Sequence, residues 1–318
     1  MLPASAIAAP RRHFSLLPLY IGLFCLLWSF AFVAGKVGVT DCPPLILLAA
    51  RFSLAGILIF GISALRRDAW QFSWRLTWWR LAWQLSWRDV AAFAALGIAN
   101  NALYLGFSYT GLQSVSAGLG GLIVSANPVF TAVLAALFLG EGMTWRKAMG
   151  LLLGVSGVAL IVWHRLSVGT DSLRGILFTL ASLASIVSGT ILFKLFAPKG
   201  SLWIGNGIQN IAAGIVLVPI ALTFNDVHAI SFTPGLVGAF AFLVLGGSIL
   251  AYLLWFHLLK VCGATTASAY HFLIPPLSVL FAFLVLGEHV EARDLLGILP
   301  VALGIYLVTR PAAAKSLS

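Results

Sequence analysis

Charge is what this sequence has least of. Lys, Arg, Asp and Glu make up 9% of its 318 residues and apolar types 61%, with a mean hydropathy of +1.03. A soluble domain carries roughly a quarter charged residues, so a water-soluble fold is excluded. Acids are scarcer still. The nine are Asp41, Asp68, Asp89, Glu141, Asp171, Asp226, Glu288, Glu291 and Asp294, and each falls in a loop or at the end of an apolar run. A relay of carboxylates at mid-membrane depth, the usual mark of a proton pathway, is therefore missing. Cys25, Cys42 and Cys262 are the only cysteines; without paired spacing or a nearby His/Cys set they support neither a disulfide framework nor a metal site. No HExxH or GxSxG motif occurs, and Gly118-x-Gly120-Gly121 lies inside an apolar run, where a phosphate-cradling loop is untenable. No cofactor is implied. The net charge of +10 is spread between apolar runs rather than gathered on one face, which argues against a nucleic-acid partner.

What is present is a series of ten apolar segments, near residues 16–35, 43–65, 89–109, 115–139, 146–164, 173–193, 203–223, 235–258, 264–287 and 295–309. Most are long enough for a helix to cross a bilayer. A spanning backbone must satisfy its own hydrogen bonds, so the expected fold is an all-α polytopic membrane protein. Arg11-Arg12 before the first run resembles a twin-arginine signal, but the run is span-length and reads as a retained first helix. The tails (1–15 and 310–318) and the loops after even-numbered spans hold 14 Lys and Arg; the loops after odd-numbered spans hold 4. By the positive-inside rule both termini are cytoplasmic. The loop at 66–88 carries six of the eleven tryptophans interspersed with Arg, the chemistry of an amphipathic segment at the headgroups.

The chain also repeats itself. A shift of 147 positions superposes Ala117 on Ala264, Pro128 on Pro275, Gly140-Glu141 on Gly287-Glu288, Arg146 on Arg293, Gly150 on Gly297 and Gly157 on Gly304. Prolines, glycines and charges sharing one offset without a gap indicate duplication. Residues 16–164 and 173–309 then form two five-span units. Five is odd, so the second enters from the opposite side, the inverted arrangement of secondary transporters with a site between the halves.

Pro128 and Pro275 lie near mid-span, where each removes a helix hydrogen bond and can bend the chain. Ser268, His271 and Pro275 share one helical face. Arg51 is the one clear charge within a span, about 10 Å of helix beyond Pro44; it either faces the site or ties two helices together through backbone carbonyls. Glu141 and Glu288 sit at equivalent positions and read as caps for the helix that follows each, with coupling as the alternative. Trp28, Asn101, Tyr252, Trp255 and His271 could line a site for a substrate that is part apolar and part hydrogen-bonding. Asn100, Tyr104, Gln209 and Asn210 serve equally as polar contacts between helices. Histidine is the side-chain type that ordinarily titrates near neutrality, which makes His271 and His257 the coupling candidates in place of a carboxylate. Gly150, Gly154 and Gly157 permit close helix packing.

These features resemble the drug/metabolite transporter superfamily, EamA type. The resemblance rests on Leu27-Trp28-Ser29, Ala50-Arg51-Phe52, the unit from Ala117 through Pro128 to Gly140-Glu141 with Gly150 and Gly157, and its second copy through Gly304. It implies two inverted five-helix repeats around a central cavity between spans one, three, four, six, eight and nine, placed in the inner membrane and working by alternating access. The expected activity is export of a small amphipathic metabolite such as an amino acid. An integral membrane enzyme and a drug-efflux or exchange carrier are the alternatives. Expected partners are a small-molecule substrate and the bilayer; the oligomeric state stays open, a monomer included.

Overall fold

The computed structural model describes residues 16–68, 85–124, 126–140, 144–168, 171–196, 201–262, 267, 270–288, 299–300, 302–304 and 306–307. Every regular element among them is helical. We number them α1 (Leu17–Asp41), α2 (Pro44–Asp68), α3 (Trp87–Leu112), α4 (Ala117–Phe138), α5 (Trp145–Val168), α6 (Leu173–Phe196), α7 (Leu202–Phe224), α8 (Pro234–Cys262) and α9 (Ile274–Phe281). Seven helices among the described residues are long and apolar enough to cross a membrane: α1 to α4 and α6 to α8. Shorter apolar helices cover Ala148–Gly157 within α5 and Pro276–Leu286. Most of the expected tenth span, most of the Trp-rich stretch, both tails, Glu141 and Ser268 lie outside the described residues.

The surface is as apolar as the interior. Leu19, Ile57, Leu152, Leu177, Ile215 and Leu245 are exposed, as helices require when solvated by lipid chains rather than water. Trp87, Trp145 and Trp163 are exposed near helix ends, at the level where amphipathic rings meet headgroups.

Helix contacts repeat under exchange of the two halves. Helix α1 packs on α8 and α9, and α6, its counterpart in the second half, packs on α3 and α4. Helices α2 and α7 pack on each other, and so do α4 and α9. The fifth pair meets through glycine: a Cβ on Gly304 would lie 2.5 Å from the Gly150 carbonyl oxygen and 2.9 Å from the Gly154 nitrogen. That pattern is what two copies related by a pseudo-two-fold axis produce.

Local geometry repeats as well. Gly140 and Gly287, one repeat apart, are left-handed with φ of 67° and 66°, a conformation that costs glycine little and other residues more. Helix α3 widens to a π-helix over Ile98–Leu103 and α8 over Leu243–Ala251, stretches that overlap under the same offset. Both prolines stand where a helix restarts rather than inside a continuous one. Pro128 is in the first turn of Asn127–Phe138, and Pro275 in the first turn of α9, after a 3-10 turn over Tyr270–Leu273. His271 lies in that 3-10 turn rather than in an α-helix.

Candidate functional site

One end of the bundle is knitted by polar contacts. The Ser231 N–H donates to the Asp41 carbonyl at 2.8 Å and the Thr233 hydroxyl to the Asp41 carboxylate at 2.5 Å. The Ser116 N–H donates to Asp171 Oδ1 at 2.7 Å. Helix α1 continues six residues past the expected end of the first span, so Lys36 is part of it. Its Nζ donates to the Leu112 and Val115 carbonyls at 2.6 and 2.8 Å, answering acceptors that the end of α3 leaves open.

Glu288 completes this end with a contact across the two halves. The left-handed Gly287 turns the chain so that the Glu288 carboxylate accepts from Ala117 N–H at 2.9 Å and Gly118 N–H at 3.2 Å. It caps α4, in the other half of the molecule; the start of the helix expected to follow it in sequence lies outside the described residues. The chemistry is as expected, a carboxylate at the positive end of a helix; the partner could not be inferred from neighbours in the chain.

Deeper in the bundle lies a cavity whose wall is built by α1, α2, α3 and α8. Helix α1 gives Trp28, Ala31 and Phe32; α3 gives Tyr104, Leu105, Ser108 and Tyr109; α8 gives Gly247, Ala251 and Tyr252; α2 gives Arg51. The resemblance implied walls from spans one, three, four, six, eight and nine; among the described lining residues α2 is represented and α4, α6 and α9 are not. The space open to the centres of water-sized molecules is about 30 Å³, room for about two waters.

Arg51 is 2% exposed. Its Nε donates to Ser248 Oγ at 2.7 Å and its Nη1 to the Tyr109 hydroxyl at 2.9 Å, and the guanidinium carbon lies 5.2 Å from the Phe52 ring centre and 5.8 Å from that of Tyr109. Ser248 belongs to the second half, and the chain of contacts continues through it: Asn206 Nδ2 donates to the Ser248 carbonyl at 2.9 Å and Asn210 Nδ2 to Asn206 Oδ1 at 2.9 Å. The alternative sequence reading of Arg51 as a carbonyl-bound helix tie is not what is seen; its bonds go to hydroxyls, and it stands on the cavity wall.

Of the five sequence candidates for substrate contact, Trp28 and Tyr252 line the cavity. Trp255 and His271 stand behind them in a continuous aromatic cluster: the His271 ring centre is 5.4 Å from that of Trp28, 4.8 Å from that of Trp255 and 5.3 Å from that of Phe24. Asn101 is fully buried in the π-helical part of α3 and its side-chain atoms have no hydrogen-bond partner among the described residues; it is not among the described lining residues. His257 contacts the Tyr20 ring edge-on at 5.3 Å. Tyr109, Ser108 and Gly247 were missed. Tyr104 and Ser108 are one turn apart and Tyr109 follows, a stripe that the search for isolated polar residues overlooked, and Gly247 is visible only once its neighbour Arg51 is placed.

With the geometry in place, comparison with known proteins gives the class. The profile of the EamA-like transporter family matches residues 16–163 and again 173–310. The chain belongs to that family, and it is a multi-pass membrane transporter. It is 26% identical over 290 residues to an uncharacterised transporter of Archaeoglobus fulgidus, covering 91% of this chain and 97% of the relative. It is 25% identical over 305 residues to the uncharacterised inner membrane transporter YedA of Escherichia coli, covering 94% and 92%. A solved crystal structure 17% identical in sequence superposes with a TM-score of 0.62 over 93% of this chain and 97% of that one, a likeness of fold.

Proposed function

We propose that this protein is a secondary transporter that exports a small amphipathic metabolite, such as an amino acid, by alternating access. The observation that carries the reading is the cavity, which is walled by both halves and lined by aromatic rings around one buried guanidinium. Ring faces and a single polar anchor suit a solute with an apolar body and a polar head. The cavity is too small for such a solute as it stands, so entry requires the halves to part, the motion that inverted repeats around a fixed site support. Glu288, which joins the two halves at one end, is placed to hold that end shut.

The rest of the reading follows from charge. The basic loops put the termini and the 66–88 stretch in the cytoplasm, which makes the end with Asp41, Asp171 and Glu288 the outer one. The similarity to YedA supports the inner membrane. A transport rather than catalytic role is supported by the relatives, which are themselves named transporters, and a small-molecule substrate and the bilayer are then the partners.

Purified protein in liposomes should equilibrate at least one of a set of radiolabelled aromatic and aliphatic amino acids faster than protein-free liposomes do. Saturable flux supports the reading; its absence for the whole set, in protein that unfolds cooperatively, refutes it.

A further inference from the structure

Resting on that reading of the cavity, we infer that Arg51 is the docking point for a carboxylate on the substrate, so the protein selects organic monoanions and zwitterions with an apolar body over amines and neutral solutes. Arg51 is a permanent cation held almost wholly out of solvent. A buried charge is costly unless it is compensated. Its compensation here is partial: two hydroxyls accept from Nε and Nη1, and no carboxylate among the described residues forms an ion pair with it. The third nitrogen, Nη2, has no hydrogen-bond partner among the described residues.

The space beside Nη2 depends on a missing side chain. A Cβ on Gly247 would lie 2.7 Å from Nη2, so any larger residue would occupy the ground where an acceptor would sit. Gly247, Ser248 and Arg51 therefore act as a unit. Ser248 and Tyr109 fix the plane of the guanidinium from two sides, and Gly247 leaves its remaining edge open to the cavity. An oriented guanidinium edge with free N–H groups matches the geometry of a carboxylate.

The rest of the wall sets the size of the charge and the nature of the body. Lys36 is committed to the Leu112 and Val115 carbonyls, and Arg51 is the only charged residue among the described lining residues. One cation balances one carboxylate and leaves a phosphate dianion half-compensated. Beside it Trp28, Tyr104 and Tyr252 offer ring surfaces for an aromatic or branched aliphatic body. A cationic amine would instead add charge of the same sign to a desolvated site.

The test uses reconstituted full-length protein, radiolabelled L-phenylalanine and L-leucine as transported probes, and 3-phenylpropionate and phenethylamine as competitors. These differ in which of the two charged groups of phenylalanine they keep. 3-Phenylpropionate should inhibit uptake at least tenfold more effectively than phenethylamine. R51Q should lower uptake at a subsaturating probe concentration at least tenfold. G247A should do the same with the charge intact, because its methyl group crowds Nη2; thermal unfolding in detergent separates this loss from misfolding. Equal inhibition by the two competitors, stronger inhibition by the amine, or unchanged uptake in a folded R51Q or G247A protein overturns the carboxylate assignment and leaves the transporter reading standing. Absence of flux of either probe in folded wild-type protein overturns the assignment; the transporter reading falls only if the wider amino-acid set also fails.

Discussion

Replacing Glu288 by glutamine should loosen one end of the transporter by an amount that its contacts set. The carboxylate takes two backbone N–H groups at the start of α4, Ala117 at 2.9 Å and Gly118 at 3.2 Å. Hydrogen bonds to charged groups contribute about 1.5–3 kcal/mol, and a charge at a helix end a further 0.3–1, or roughly that. Glutamine is isosteric and keeps one neutral acceptor, worth about 1 kcal/mol. Because Glu288 is half-buried and partly screened, the net loss is about 1.5 kcal/mol, close to a tenfold change in an equilibrium. Both halves contribute to this contact, so the loss falls on the closed arrangement of that end. A cysteine at position 108, buried on the cavity wall, reports opening when Cys25, Cys42 and Cys262 have been replaced. Its labelling by a membrane-impermeant maleimide applied from outside should be about tenfold faster in E288Q, in proportion to the open population. If the rate is unchanged while the protein remains folded, Glu288 caps α4 without holding the end shut, and the gate must be sought elsewhere.

Other outcomes are expected. Gly304→Ala places a methyl group 2.5 Å from the Gly150 carbonyl oxygen and should destabilise the protein by about 1–3 kcal/mol, seen as a lower unfolding temperature in detergent. Burial pushes the Cys42 thiol up to about 11, so at pH 8 about one in a thousand is the reactive thiolate; maleimide should label it only slowly below pH 10 and quickly after denaturation. A cysteine at position 77 in the same cysteine-free background should resist the impermeant reagent in intact cells, and labelling there would reverse the orientation. With no carboxylate on the described cavity wall, uptake should equilibrate without an imposed proton gradient, and accumulation driven by such a gradient would contradict this.

The sequence showed the architecture more clearly than the site, for a physical reason. Apolar run length is a local quantity, and a bilayer acts on it one segment at a time. The repeated Gly-Glu pair also marked a true local event, the left-handed turn at Gly140 and Gly287. What Glu288 touches lies 170 and 171 residues away, and no periodicity encodes that distance. Trp28, Tyr252 and Arg51 were legible because large or charged groups within a span are rare. Gly247 and Ser108 were not, because among so many small residues only their position beside Arg51 and Tyr109 distinguishes them. His271 and Trp255 were noticed for the right chemistry but stand behind the lining, a depth that sequence does not report.

The π-helical stretches in α3 and α8 let these helices carry extra chain without shifting the segments on either side. Each widened turn holds more residues than an α-helix fits into the same rise. Removing one residue, Ala99 or Gly246, would let the backbone relax into an ordinary α-helix with its hydrogen bonds intact. Because the wide turn had already absorbed the extra residue, the flanking segments, with Tyr104 and Tyr109 following the turn in α3, would keep their phase; only residues inside the turn, Gly247 and Ser248 in α8 among them, would move. Taking a residue from an ordinary α-helical turn of either helix would instead rotate one flank by about 100° against the other and dismantle the cavity, so chain length is less constrained inside these turns than beside them.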